Sequence, residues 1–159
     1  MTSTDIQKIL IVRYLNSNKY VCSNAFFGSI EMDFCLITQS RYFTEFEIKI
    51  SRSDFFADKK KEEKHLLYSG KKDKGFIPNR FYYVCPKGLI DKSEVPTYAG
   101  LLYVDGNYIS SVEKLAPMLH KNQTPDWVYL TLMDKYYFRY IQKMQKIGGY
   151  GKKITKLLK

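Results

Sequence analysis

The stretch "TEFEIKI", residues 44–50, alternates apolar and charged side chains with a period of two. In an extended chain successive side chains point to opposite faces, so Thr44, Phe46, Ile48 and Ile50 share one face and Glu45, Glu47 and Lys49 the other. A strand of this kind either turns its charges to solvent or gathers them for chemistry. A solvated outer face is the plain alternative, because half-exposed strands carry such patterns routinely.

The preceding strand-like run, "SIEMDFCLI", has the same alternation. Met32, Phe34 and Leu36 fall on one face, and Glu31, Asp33 and Cys35 on the other. If the two strands pair as neighbours, Asp33 approaches Glu47 and Lys49, since side chains directly opposite in a sheet lie about 5 Å apart. Two carboxylates converging beside a lysine are costly unless a cation occupies the gap. Oxygen ligands of this type suit Mg²⁺ or Mn²⁺, which take one or two carboxylates and complete their shell with water and substrate phosphate. The rival account is an Asp–Lys salt bridge on an exposed face, worth little to stability.

The surrounding pattern predicts an α/β domain. Residues 5–16 place Ile6, Ile9, Leu10, Arg13 and Tyr14 at helical spacing, with Thr4 as the expected N-cap. Three strand-like runs follow, "YVCSNAFFG", "SIEMDFCLITQ" and "YFTEFEIKIS", separated by Gly28 and a polar "QSR" turn. Ser53 is the expected cap of a second helix over about 53–68, whose "KKKEEKH" face reads as solvated. A Gly- and Lys-rich loop leads to a fourth strand, "RFYYVCP", which a crossover can place parallel to the third. A fifth, "AGLLYVDG", ends on a turn at Asp105 and Gly106. Two helices are expected over about 111–121 and 125–146, the latter with Thr124 as cap and Pro125 at its first position. With 159 residues and no linker or repeat, the chain reads as a single domain, 1–159, with a basic tail from about 147.

Charge points to the partner. Lys and Arg number 26 against 16 Asp and Glu, a net +10, crowded into "KKKEEKH", "GKKDKG" and the last stretch. A positive surface gains affinity for phosphates by releasing their counterions, so a nucleic acid is the natural partner. No run approaches the roughly 18 apolar residues of a membrane span, and the amino terminus lacks a signal peptide's basic start, so the expectation is a cytoplasmic protein without a membrane partner. Cys22, Cys35 and Cys85 read as reduced core thiols. His65 and His120 have no partner at metal-ligand spacing and read as surface histidines. Trp127 reads as a packing anchor. The aromatics of "RFYYV" and "DKYYFRY" could stack on unpaired bases, although half of the former at least read as core.

Asp33 followed by Glu47-Ile48-Lys49 resembles the signature of the PD-(D/E)XK nuclease superfamily. Downstream, "FEIKISRSDFFADKK", "NRFYYVCPKGLI", "VPTYAGLLYVD" and "EKLAPMLHKN" are similar in order and spacing to the MmcB-like DNA-repair proteins and their phage-borne relatives, over about residues 24–140. Met32 stands where many members carry proline, and no glutamate marks the first helix. The resemblance implies a restriction-endonuclease-like α-β-β-β-α-β core, a mixed central sheet flanked by helices, and a C-terminal helical extension. It implies a metal held by Asp33, Glu47 and the Ile48 carbonyl, with Lys49 as the catalytic lysine and Glu31 or Glu45 as a substitute accessory acid, or a single-metal site.

Beside that site, Ser51, Arg52 and Lys59 near the start of the second helix are the expected phosphate contacts, joined by Lys152 and Lys153 of the tail, where Lys156 adds to the charge. Arg80 either reaches the site or caps the sheet edge. The expected function is Mg²⁺- or Mn²⁺-dependent hydrolysis of DNA in repair or recombination, without a small-molecule cofactor, and with a homodimer needed if both strands are cut. A nuclease-fold DNA-binding or recruitment protein with little or no cleavage is the alternative, and an RNA-directed nuclease remains open.

Overall fold

A computed structural model describes residues 1–27, 30–58, 62–72 and 75–148. Contacts divide the chain into two compact units, Met1–Thr124 and Pro125–Lys159. The first holds α1 (Ser3–Tyr14), β1 (Tyr20–Phe27), β2 (Ile30–Ile37), β3 (Phe43–Ile48), α2 (Arg52–Asp58), α3 (Glu62–Tyr68), β4 (Arg80–Pro86), β5 (Ala99–Asp105) and β6 (Tyr108–Lys114). The second is described as α4 (Asp126–Gly148).

The six strands form one sheet in chain order, β1 to β6. β1, β2 and β3 are antiparallel neighbours, β3, β4 and β5 run parallel, and β6 returns antiparallel. The architecture is thus α/β with a mixed sheet, and its first elements follow the α-β-β-β-α-β order with two short helices in place of the second helix. Period-two alternation sorts the strand residues onto two layers. Ile6, Ile9 and Leu10 of α1 pack with Phe34, Leu36, Phe46, Ile48, Val84 and Leu102. Phe55 of α2 and Leu67 and Tyr68 of α3 pack with Phe81, Tyr83, Cys85 and Leu101 on the other face. Cys22, Cys35 and Cys85 are buried thiols outside any disulfide.

Several local expectations are corrected. α1 starts earlier: Thr2, not Thr4, is its N-cap, in a capping box where Asp5 donates its amide to Thr2 Oγ1 and accepts from the Thr2 amide. The second helix is two short ones, and Ser51, whose Oγ accepts the Asp54 amide at 3.1 Å, caps the first in place of Ser53. No helix spans 111–121. That region supplies β6, because Gly106 at φ 58° makes the two-residue hairpin turn Gly106-Asn107, and the chain then runs back along β5 with Val112 opposite Leu102. Thr124 spends its hydroxyl on the Arg41 carbonyl at 2.7 Å, within the first unit. Among the described residues no helix is long and apolar enough to cross a membrane.

Gly100 on β5 is closely approached by the Tyr82 ring and the Ala116 backbone. A Cβ there would come within 2.4 Å of the Tyr82 ring and 2.6 Å of the Ala116 backbone nitrogen. Backbone cannot yield as a side chain can, so Gly100→Ala is expected to lower stability by about 1–3 kcal/mol, read as a lower urea midpoint with an unchanged slope.

Candidate metal and nuclease centre

The β2–β3 register pairs Cys35 with Glu45 and Phe34 with Phe46. One further step along it sets Asp33 opposite Glu47. The ladder has stopped there, and the Ile48 amide donates instead to Asp33 Oδ2 at 2.8 Å. On the other side of β2, Asn24 of β1 adopts a left-handed φ of 49°. Gln7 of α1 bridges this irregularity, its Nε2 donating to Asn24 Oδ1 at 2.6 Å and to the Asp33 carbonyl at 3.0 Å. Asp33 is therefore held by its side chain from β3 and by its backbone from α1.

Glu45, Glu47 and Lys49 are 0%, 3% and 3% exposed, which rules out a solvated strand face. Burial of charge on this scale requires ionic partners and hydrogen bonds. Lys49 Nζ sits 2.9 Å from Glu47 Oε1, 3.2 Å from Asp58 Oδ1 and 3.7 Å from Asp54 Oδ1. Lys64 of α3 reaches the same carboxylate from the other side, 2.7 Å from Glu47 Oε2 and 2.5 Å from Glu45 Oε1. Burial pulls the Lys64 ammonium down, but Glu45 and Glu47 outweigh it and hold its pKa above the usual lysine value. Tyr68 donates to Glu45 Oε2 at 2.5 Å, and Tyr83 to Asp58 Oδ2 at 2.8 Å. His65 completes this layer, with Nδ1 2.5 Å from the Tyr98 hydroxyl and Nε2 2.7 Å from the Asp58 carbonyl oxygen.

Among the described residues, five carboxylates, those of Asp33, Glu45, Glu47, Asp54 and Asp58, thus gather around two ammonium groups. The surplus is felt at Asp33. Burial first, then the neighbouring Glu47 charge, pushes its carboxyl from 3.8 to about 6, against the opposing pull of the Ile48 amide and the two lysines.

The donor set fits a hard divalent cation in kind: all oxygen, in carboxylate surplus, with one carboxylate whose ionised form is penalised. Among the described residues no cluster of three or more His, Cys, Asp or Glu side chains is spaced to hold an ion alone. Backbone and substrate oxygens would have to complete the shell.

Asp33, Glu47 and Lys49 are brought together, as the alternation implied. Other candidates are not. Arg80 starts β4 opposite Thr44, three register steps from Glu47, and its guanidinium donates to the Ala116 carbonyl. Arg52 is engaged by Glu94, at 2.5 and 3.0 Å, and by the Leu89 carbonyl. Ser51 bonds the Asp54 amide and the Ser53 hydroxyl. Glu31 is exposed, and Glu45 gives its oxygens to Lys64 and Tyr68. Lys59, Lys152, Lys153 and Lys156 lie outside the described residues.

Two sequence readings are overturned here. Lys64 belongs to the "KKKEEKH" face expected in solvent, yet it is 7% exposed. His65 and His120 were expected at the surface, and both are partly buried and bonded, His120 through Nε2 to the Ile77 carbonyl oxygen at 2.8 Å. Lys64 could have been found by its place one turn before the apolar pair Leu67 and Tyr68, on the face a short helix must turn inward.

No family model and no curated protein matches the chain. Among solved structures it is similar to one described as the SPO1766 protein of unknown function from Silicibacter pomeroyi. That likeness has a TM-score of 0.63 and 16% identity, and covers 93% of this chain and 94% of the other. At this identity the likeness concerns the fold alone.

Lys64→Met strands Glu45 and Glu47 in the interior without their shared cation, and is expected to destabilise the chain by about 3–5 kcal/mol in urea titration. Asp33 is expected to act in the opposite sense. With its folded pKa raised, the folded chain binds the proton more tightly than the unfolded chain between about pH 4 and 6, so stability falls as pH rises through that window. Asp33→Asn keeps an oxygen for the Ile48 amide and removes the penalised charge. In EDTA it should exceed the parent in stability at pH 7 by about 1–3 kcal/mol, and the difference should vanish near about pH 4.

Proposed function

We propose that the chain is a metal-dependent nuclease that hydrolyses DNA phosphodiester bonds, acting in repair or recombination. The observation that supports this most is the surplus of carboxylate around Asp33 and Glu47, beside Lys49, in a chain whose net charge is +10. Acid is concentrated where a cation is needed, and base elsewhere, where it can meet a polyanion. Asp33 and Glu47 would hold Mg²⁺ or Mn²⁺, with the Ile48 carbonyl as the backbone ligand that the family resemblance implies. Such an ion supplies Lewis-acid stabilisation of a phosphoryl oxygen and a nucleophilic water at neutral pH.

The chain's own groups have separate tasks in this reading. Gln7 and the Ile48 amide fix Asp33. Lys64 fixes one oxygen of Glu47 and Lys49 the other, so the carboxylate has little rotational freedom. Lys49 places a compact positive charge beside the acids, where negative charge develops on the phosphate. Asp58 and Asp54 orient that ammonium from α2.

One observation favours a second reading, a nuclease-fold protein that binds or recruits on DNA and cuts weakly or not at all. Both Glu47 oxygens are already bonded to buried lysines, which satisfies the carboxylate without an ion. Incubation with single-stranded, duplex, flap and four-way DNA in Mg²⁺ and Mn²⁺ separates the two. The nuclease reading expects cutting that Glu47→Gln abolishes while DNA affinity stays the same or rises. It also expects Lys49→Met to cost about 100-fold or more in rate and Lys49→Arg less. Salt-sensitive DNA affinity with no cutting of any substrate would establish the binding reading instead.

A further inference from the structure

Helix α4 runs for 23 residues, Asp126–Gly148, about 34 Å at 1.5 Å per residue. Along it Leu130, Met133, Tyr137, Tyr140, Met144 and Ile147 recur at alternating steps of three and four. These six large side chains are between 47% and 70% exposed. A stripe with a mean spacing of 3.5 residues is the a/d seam of a coiled coil, which stays in contact with a second helix when both supercoil slightly. An exposed apolar stripe of this length is unusual unless something covers it.

The order of residues in the seam identifies the cover. Read in either direction it runs aliphatic, thioether, tyrosine, tyrosine, thioether, aliphatic. Two copies laid antiparallel about a two-fold axis would bring Leu130 against Ile147 of the second copy, Met133 against Met144, and Tyr137 against Tyr140. Each pair joins an a position to a d position, as antiparallel coiled coils require, and every seam residue finds a partner of its own kind. The two-fold also makes the contact isologous and closed. The tyrosine rings offer apolar area at the centre, with hydroxyls able to reach the wet margin.

Charge argues against a polyanion on this stripe. Its borders, the e and g positions, are Asp134 and Ile141 on one side and Tyr136 and Lys143 on the other, neutral in sum. The bases Lys135, Arg139 and Lys146 lie at f and c positions, away from the seam. A strand of DNA or an anionic lipid surface would need them beside it. We infer that α4 is a self-association helix, whose partner is α4 of a second copy packed antiparallel along this seam. This inference does not depend on the nuclease reading.

The test uses the full chain in size-exclusion chromatography with light scattering. Twice the chain mass is expected for the parent, and the single chain mass for Met133→Glu combined with Tyr140→Glu. Phe138→Glu, at a site 61% exposed but off the seam, should remain a dimer. Met133→Gln with Tyr140→Gln gives a milder pair should the acidic one precipitate, and circular dichroism checks that either pair keeps its helix. Orientation is read by oxidation: Leu130→Cys and Ile147→Cys chains should cross-link with each other when mixed, and neither with itself. A monomeric parent, a dimer indifferent to the seam variants, or self-cross-linking of either cysteine variant would overturn the inference. A monomeric parent whose seam variants lose single-stranded DNA affinity would overturn it too, and would assign the stripe to nucleic acid.

Discussion

The structure turns on one contact, the ammonium of Lys64 lodged between Glu45 and Glu47. Two carboxylates on adjacent same-face positions of β3 cannot both be taken out of water without a cation, since each unpaired ion would cost several kcal/mol. α3 is held against the sheet to deliver that cation, and it brings Tyr68 to the second oxygen of Glu45 in the next turn. α2 supplies the complementary piece, Asp58, which pairs Lys49 and receives the Tyr83 hydroxyl. The helix layer is thus located by ion pairs as well as by Phe55, Leu67 and Tyr68, and α2 and α3 cannot slide without breaking both. An interior built this way contributes little net stability for its size. It fixes geometry, because few arrangements bring these carboxylates and ammonium groups into contact at once.

The other side of the site is held by a fault in the sheet. Where the β2–β3 ladder ends, the free choice of partner for the Ile48 amide falls to the Asp33 carboxylate. Asn24 leaves the extended conformation beside it, and Gln7 stitches the two strands from above. Asp33 is half-buried while Glu47 is almost completely buried, although the register sets them opposite each other. Burial first and then the Glu47 charge raise the Asp33 carboxyl, and burial raises that of Glu45 as well in spite of Lys64.

Much of this was legible in the residues. Alternation in "TEFEIKI" and "SIEMDFCLI" gave the shared face, and chain-order pairing of the strands gave the meeting of Asp33 with Glu47. What alternation cannot give is whether a charged face is wet. That depends on what lies over it, and the covering helix reads as a solvated run of lysines until Lys64 is seen to share a face with Leu67 and Tyr68. The partners of Arg52 and Arg80 were not legible for a related reason: a basic side chain near a site in sequence has many possible acceptors, and Glu94 and the Ala116 carbonyl come from distant segments. The missing strand β6 has a simpler origin. The Asp105-Gly106 turn was visible, but a turn after a strand calls for a returning partner, and "YISSVEK" is short and polar enough to pass for a helix when that demand is overlooked.

The placement of charge has one more consequence for the proposed activity. A chain of net +10 attracts a polyanion from a distance, but the field is screened within about 8 Å at physiological salt, so a phosphate approaching Asp33 and Glu47 meets local acid. Long-range attraction and short-range repulsion then act on the same substrate. A divalent cation between the carboxylates would reverse the sign only at short range, leaving the attraction unaltered. Binding of DNA would in that case depend chiefly on the bases of the surface and on salt, and its engagement by the centre on the ion. Lys64 is locked between Glu45 and Glu47, and Lys49 shares its charge with Glu47, Asp54 and Asp58, so neither alone offsets the local acid. On the proposed reading Lys49 would add its charge to that of the ion at the phosphate and would not replace it.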